Sequence, residues 1–312
     1  MKRILAIVLV LTLCLMFVAG CGSKPANTGE KKLKIGVTFK SIKQEFDVTM
    51  KQGIEETAAA MGAELVIVDA NFDMARQRAA VDDFVTQKVD AIIMSPVNST
   101  GSAAMIQSAQ DKGVPVITID IGSDEGIERV YVASDNIMGG KIIAEYLVNE
   151  LKITKGKLIV LNLKEDISVR ERCEGFMSVI NGYPDIELLS DMNGGGTRDE
   201  SLAIAESMLQ GNPDVDIVFG SIGDMVVGVS KAATSAKREG LTLLGYDADY
   251  DVLKEIESGT CQAITAQFPY NIGKTAVETA FKLAAGEDVP GKIQIPVEIV
   301  DPSNLKDFLV EK

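Results

Sequence analysis

Apolar residues in this 312-residue chain fall into short blocks that alternate between two periods. Leu33–Phe39 is a nearly continuous apolar run of strand length, and Phe46–Met61 repeats apolar residues at every third or fourth position until Gly62. The first pattern predicts a strand buried on both faces, the second an amphipathic helix ended by glycine. The alternation continues with strands over Ala63–Val68, Ala91–Met94 and Val114–Ile119, and helices over Ala75–Gln87, Ser102–Lys112 and Met138–Leu151. It then starts again: strands over Lys157–Leu163, Glu187–Asp191, Ile217–Phe219, Thr242–Tyr246 and Gln262–Ala266, with helices over Arg170–Ile180, Glu200–Gln210 and Val226–Arg238 between them. Alternation of this kind predicts parallel sheets covered by helices on both faces.

The halves echo each other. Val89-Asp90-Ala91-Ile92-Ile93 resembles Val215-Asp216-Ile217-Val218-Phe219, and the segment from Gly113 to Asp120 matches that from Gly240 to Asp247. The expected architecture is therefore α/β with two similar Rossmann-like lobes. In open α/β sheets ligands bind at the carboxyl ends of the strands, which places the expected site in a cleft between the lobes.

The N-terminus decides the compartment. Lys2 and Arg3 precede an apolar run from Ile4 to Val18, and Val18-Ala19-Gly20-Cys21 follows at once. A run of about 15 residues is short for a membrane span and fits the core of a signal peptide. The four-residue stretch has the pattern of a bacterial lipobox, which implies cleavage before Cys21 and a lipid on its sulfur. Residues 21–32 are polar and rich in Gly, Ser and Lys, so they read as a flexible tether. The expected location is extracytoplasmic, with the lipid at Cys21 as the chain's sole hold on the membrane.

Composition narrows the chemistry. Loss of Lys2 and Arg3 takes the formal net charge from −14 to −16, and a chain this acidic is a poor partner for nucleic acid. The sequence has no histidine, so His-based triads and His-bearing metal sites are excluded. No cofactor, metal site or catalytic residue is expected. Of the four cysteines, Cys173 and Cys261 remain after Cys14 and Cys21 are assigned to the leader and the lipid, either as buried thiols or as a pair.

Candidate binding residues lie at strand ends. Asp120 and Asp247 each follow a buried strand, where a carboxylate either accepts hydrogen bonds from ligand hydroxyls or caps a helix. Arg172, near a helix start, offers a fork of donors or pairs with Glu171 or Glu174. Gln267 follows the strand Gln262–Ala266 and both donates and accepts. Lys40, Gln44, Phe46 and Asp47 follow the first strand; the Phe46 ring either stacks on a sugar face or staples the next helix.

On Ala133-Ser134-Asp135-Asn136-Ile137-Met138-Gly139-Gly140-Lys141, Arg170 to Phe176, Gly245-Tyr246-Asp247 and Ala266-Gln267-Phe268-Pro269, the chain resembles the type I sugar-binding proteins of ABC importers, the ribose-binding group above all. The resemblance runs from Leu33 to the C-terminus. It implies a lipid-anchored, monomeric, non-enzymatic protein that captures a ribose-like sugar or related polyol and delivers it to a permease. Alternative cargoes are a furanose-like signal such as autoinducer-2 or a sugar acid, and the alternative partner is a chemoreceptor or receptor kinase. It also implies three interlobe crossings near Asp135, Gln267 and Lys292, giving lobes of 33–135 plus 268–291 and of 136–267 plus 292–312. The family's sugar contacts fall on Gln44, Phe46, Asp120, Arg172, Asp247 and Gln267. Departures are Asp47 in place of an aromatic, Ile121 in place of an arginine, Ile222 in place of an asparagine, Lys40 in place of a serine, and a glycine near Gly196 where an aromatic is expected.

Overall fold

The computed structural model describes residues 32–309; the expected signal peptide, Cys21 and the tether up to residue 31 lie outside them. The strands β1 (Lys34–Phe39), β2 (Glu64–Asp69), β3 (Ala91–Met94), β4 (Val116–Ile119) and β5 (Val130–Ser134) are separated by helices α1 (Glu45–Met61), α2 (Met74–Thr86) and α3 (Ser99–Gln110). After α4 (Asn136–Asn149) the unit repeats: β6 (Gly156–Asn162), α5 (Ile167–Ile180), β7 (Ile186–Asn193), α6 (Arg198–Gly211), β8 (Ile217–Gly220), α7 (Gly223–Ser235), β9 (Thr242–Tyr246), α8 (Tyr250–Glu257) and β10 (Ala263–Ala266). The chain ends with α9 (Pro269–Ala284), β11 (Lys292–Ile295), β12 (Glu298–Val300) and α10 (Leu305–Phe308).

These strands form two six-stranded sheets of matching order, β11-β5-β4-β3-β1-β2 and β12-β10-β9-β8-β6-β7. All ladders are parallel except β10 with β12. Strand alternation divides the first core in two: Ile35, Val37, Phe39 and Ile93 pack with α1 and α9, while Ile92, Met94 and Val116 pack with α2 and α3. In the second lobe a single large cluster includes Phe176 and Phe219, whose rings stack with centroids 4.3 Å apart.

Six elements escape the periodicity: β5, α8, α9, β11, β12 and α10. The third crossing also differs from expectation. Lys292–Ile295 pairs with Tyr131–Ser134, so it belongs to the first sheet, and the chain changes lobe between Ile295 and Glu298 rather than near Lys292. Cross-strand partners are nonlocal, and an edge strand of this composition carries no local sign of which sheet it joins. Cys173 and Cys261 are both buried free thiols. Among the described residues no helix is long and apolar enough to cross a membrane.

Candidate functional site

Loops following β1, β2, β3 and β4 of one lobe, and β6, β7, β8 and β9 of the other, line a single cavity of about 1030 Å³. The strand-end location follows from the parallel order, which brings all these carboxyl ends to one side. The lobes meet around the cavity. The Gln44 amide donates to Asp224 Oδ2 at 3.0 Å, and the Tyr250 N–H donates to Glu45 Oε2 at 3.1 Å. Elsewhere the Ile167 N–H, at the first residue of α5, donates to Ser99 Oγ of the other lobe at 2.9 Å.

Asp120 and Asp247 occupy equivalent positions after β4 and β9. Their backbones are left-handed, with φ of 63° and 72°, and their N–H groups donate to Val132 O at 3.0 Å and Thr265 O at 2.9 Å. Left-handed non-glycine backbone costs about 1–3 kcal/mol and survives where surrounding structure holds it, typically at functional sites. Asp247 does not cap the helix that follows it: Oδ2 accepts from the Gly223 N–H at the start of the preceding α7 at 2.8 Å, and Oδ1 accepts from the Gln267 amide at 2.6 Å.

Arg172 lies within α5, which begins three residues earlier than the sequence pattern indicates. It is 3% exposed. Nε donates to Asn136 Oδ1 at 2.9 Å, Nη1 donates to Ser221 O at 3.0 Å, and the guanidinium lies 4.2 Å from the Tyr246 ring centroid. Asp120 and Asp247 are each 4.0 Å away, close enough for attraction but too far for a hydrogen bond, so their oxygens keep acceptor capacity. What places Arg172 is the close approach of α4 to α5: a Cβ on Gly140 would sit 1.9 Å from the Arg172 carbonyl oxygen, and one on Gly175 would sit 2.1 Å from Ile137 O. Arg170, two residues earlier, points elsewhere and pairs with Asp124 of the first lobe.

Lys40, Gln44, Phe46, Asp120, Arg172 and Asp247 all line the cavity. Gln267 stands behind Asp247, with its Oε1 making no hydrogen bond, and Asp47 is fully buried. Phe46, in the first turn of α1, packs partly on the first core and also lines the cavity. Ile121 and Ile222 also line it.

Electrostatics follow from burial. Burial alone would lower the pKa of the Lys40 ammonium, but the carboxylates of Asp120, Asp47 and Asp166 outweigh it and hold it above its ordinary value. Arg172 behaves likewise: burial works against its charge, and Asp247, Tyr246 and Asp120 outweigh burial. Asp47 is pushed up to about 7, chiefly by burial, with Lys40 opposing. Asp166 is pushed up to about 6 and Asp249 to about 8, again by burial first. Lys40 donates to Asp120 at 3.4 Å, so both deep cations already face carboxylates.

Several lining residues were not singled out from the sequence: Phe72, Asp166, Asn193, Arg198, Asp224 and Asp249. Phe72 is 45% exposed, sits at φ 60°, and is a second phenylalanine lining the cavity with Phe46. Asp120 and Asp247 directly follow their strands, whereas Asp224 lies in the first turn of α7, Asp249 three residues past β9 and Phe72 in the turn after β2, so the strand-end signal does not mark them. Among the described residues no group of His, Cys, Asp and Glu is arranged to hold a metal ion.

Residues 35–288 match the model of the periplasmic binding protein domain family. The ribose import binding protein of Bacillus subtilis is 31% identical over 303 residues, covering 94% of this chain and 98% of its own. A solute-binding protein from Bacillus halodurans, solved with bound myo-inositol, superimposes with a TM-score of 0.83 at 26% identity, covering 90% of this chain and 99% of its own. One from Actinobacillus succinogenes, solved with bound D-allose, has a TM-score of 0.81 at 26% identity, covering 88% of this chain and 100% of its own.

Proposed function

We propose a function from one premise: the chain belongs to the periplasmic binding protein domain family. It is an extracytoplasmic solute-binding protein of an ABC importer that captures a monosaccharide or related polyol in the interlobe cleft. The Val18-Ala19-Gly20-Cys21 stretch supports a lipid anchor at Cys21, which would hold a monomer beside its permease at high local concentration.

The observation that carries this reading is the pair of strand-end aspartates, one from each lobe, held in left-handed backbone on either side of buried Arg172. Acceptors from both lobes around one donor fork match a ligand bearing many hydroxyls, each of which donates and accepts. Phe46 and Phe72 supply apolar faces for the C–H side of a ring. Such a ligand touches both lobes only when they are closed, so binding favours closure. The chain crosses between lobes near Asp135, near Gln267 and between Ile295 and Glu298, and these crossings are where closure bends it. A sugar acid is less well served, because Lys40 and Arg172 already face carboxylates.

A thermal-shift screen of purified protein against pentoses, hexoses, cyclitols and acyclic polyols tests the reading. A ligand at one hundred times its dissociation constant stabilises the fold by about 2.7 kcal/mol. A hit abolished by Asp120→Ala and by Asp247→Ala supports it; stabilisation by no polyol, or stabilisation that survives both substitutions, refutes it.

A further inference from the structure

The cavity is longer than one sugar ring. Asp120 and Asp247, on either side of Arg172, follow β4 and β9, whereas Phe72 and Gly196 follow the edge strands β2 and β7. The strands between run β4-β3-β1-β2 in one sheet and β9-β8-β6-β7 in the other, three steps in each. Neighbouring strands lie about 4.8 Å apart, so the lining runs roughly 14 Å from the aspartates to the sheet edge. A pyranose ring with its hydroxyl oxygens is roughly 6 Å across, built from bonds of about 1.5 Å. The volume agrees, since about 1030 Å³ is more than a single small ring fills. Cavities of about 300–1,000 Å³ enclose drug-sized ligands, and a monosaccharide is smaller than those.

Two local features mark the far end. Phe72 is exposed, belongs to no core cluster, and stands with Asn71 in left-handed backbone, at φ of 60° and 51°. A bulky residue in that region is an outlier that surrounding structure must hold. Here the Asn71 N–H donates to Asp69 Oδ1 at 2.8 Å and the Phe72 N–H donates to Lys40 O at 2.7 Å. The turn thus keeps at the cavity edge an aromatic ring that the core does not use. Gly196 is the second feature. A Cβ on Gly194 or Gly195 would sit 2.7 or 2.8 Å from its nearest neighbour, so packing requires both of those glycines. One on Gly196 would meet nothing nearer than Leu163 Cδ1 at 3.9 Å and Glu200 Oε2 at 4.0 Å, and both residues line the cavity. The space beside Gly196 is therefore open cavity. We propose that the cleft has an outer subsite between Phe72 and Gly196, and that the ligand is a two-ring glycoside. One sugar is held at Asp120, Arg172 and Asp247, and a glycosidic bond joins it to a second sugar ring whose C–H face stacks on Phe72. This rests on the sugar-capturing function proposed above, which accounts for the first ring, and adds the second. A single ring at Arg172 would leave Phe72 in water; the second ring buries it and touches both lobes, which adds to closure.

Isothermal titration at pH 7 with matched pairs decides it: cellobiose against D-glucose, melibiose against D-galactose, xylobiose against D-xylose, and galactinol against myo-inositol. The expected result is at least tenfold tighter binding of the two-ring member of one pair. Gly196→Trp fills the outer subsite and should bring that ratio to one or below; Gly196 is not in left-handed backbone, so the substitution adds no backbone strain. Phe72→Ala removes the stacking face and should also lower the ratio towards one, and it stands alone if the tryptophan impairs folding. Equal or tighter binding of the one-ring members overturns the outer subsite while leaving the sugar-capturing function standing. A two-ring preference that survives both substitutions overturns the outer subsite as well. Absence of any binding overturns both.

Discussion

Asp47 is a group the fold pays to keep, and that cost is measurable as a function of pH. Its carboxyl is carried from an ordinary 3.8 up to about 7, chiefly by burial. Each tenfold change in proton affinity is about 1.4 kcal/mol, so the shift corresponds to roughly 4 kcal/mol. The sign follows from which state holds the proton more tightly. Here it is the folded state, so the favourable contribution is complete below the unfolded value of 3.8 and is lost as pH rises to about 7. Asparagine has nearly the same shape and no charge to lose. Asp47→Asn should therefore match the parent to within about 1 kcal/mol at pH 4, exceed it by about 2 at pH 5.5, and exceed it by about 4 at pH 7.5 and above. Urea unfolding of both ligand-free proteins, followed by far-ultraviolet circular dichroism at the three pH values, measures this. A pH-independent offset added to this trend would reflect the new amide's own contacts and leave the reasoning intact. A difference that does not change with pH, or one that grows in the parent's favour as pH rises, would refute it.

Gly140→Ala places a methyl group 1.9 Å from the Arg172 carbonyl oxygen, so α4 and α5 must separate. The expected cost is about 1–3 kcal/mol in urea unfolding, with a loss of ligand affinity because Arg172 moves. Ser99→Ala removes the hydroxyl that accepts from the Ile167 N–H across the cleft. Losing a cap of this kind costs about 1 kcal/mol, and here only the closed form loses it, so titration calorimetry should show roughly fivefold weaker binding with little change in ligand-free stability. Cys173 and Cys261 are free, buried, and both pushed up to about 12, chiefly by burial. Neither should react with iodoacetamide in the folded protein at pH 8, and both should react in urea; a native disulfide would leave both unreactive in urea without reductant.

The apolar runs around Val37, Ile93, Val160 and Leu244 predicted parallel strands because a strand buried on both faces must be apolar at every position, and that is written locally. The repeat of this pattern disclosed two lobes, and placed Asp120 and Asp247 at matching strand ends. The Gly139-Gly140 pair and the Arg170 to Phe176 segment carry the family resemblance, but that they form the α4–α5 contact placing Arg172 is visible only in the packing. The sequence also stated the charge excess and the absence of histidine. What it did not state is how those charges pair. Asp47, in the first turn of α1, reads locally as an acidic residue near a helix N-terminus, and only the tertiary packing buries it. Lys40 and Asp120 stand 80 residues apart, and Gln44 and Asp224 180 apart, so their meeting depends on the sheet order and on lobe closure. The same holds for β11, whose partner β5 was formed some 160 residues earlier in the chain. Periodicity is a property of neighbours along the chain, and the sequence determines it; burial and Coulomb energy depend on distances through space, and these the tertiary structure alone decided.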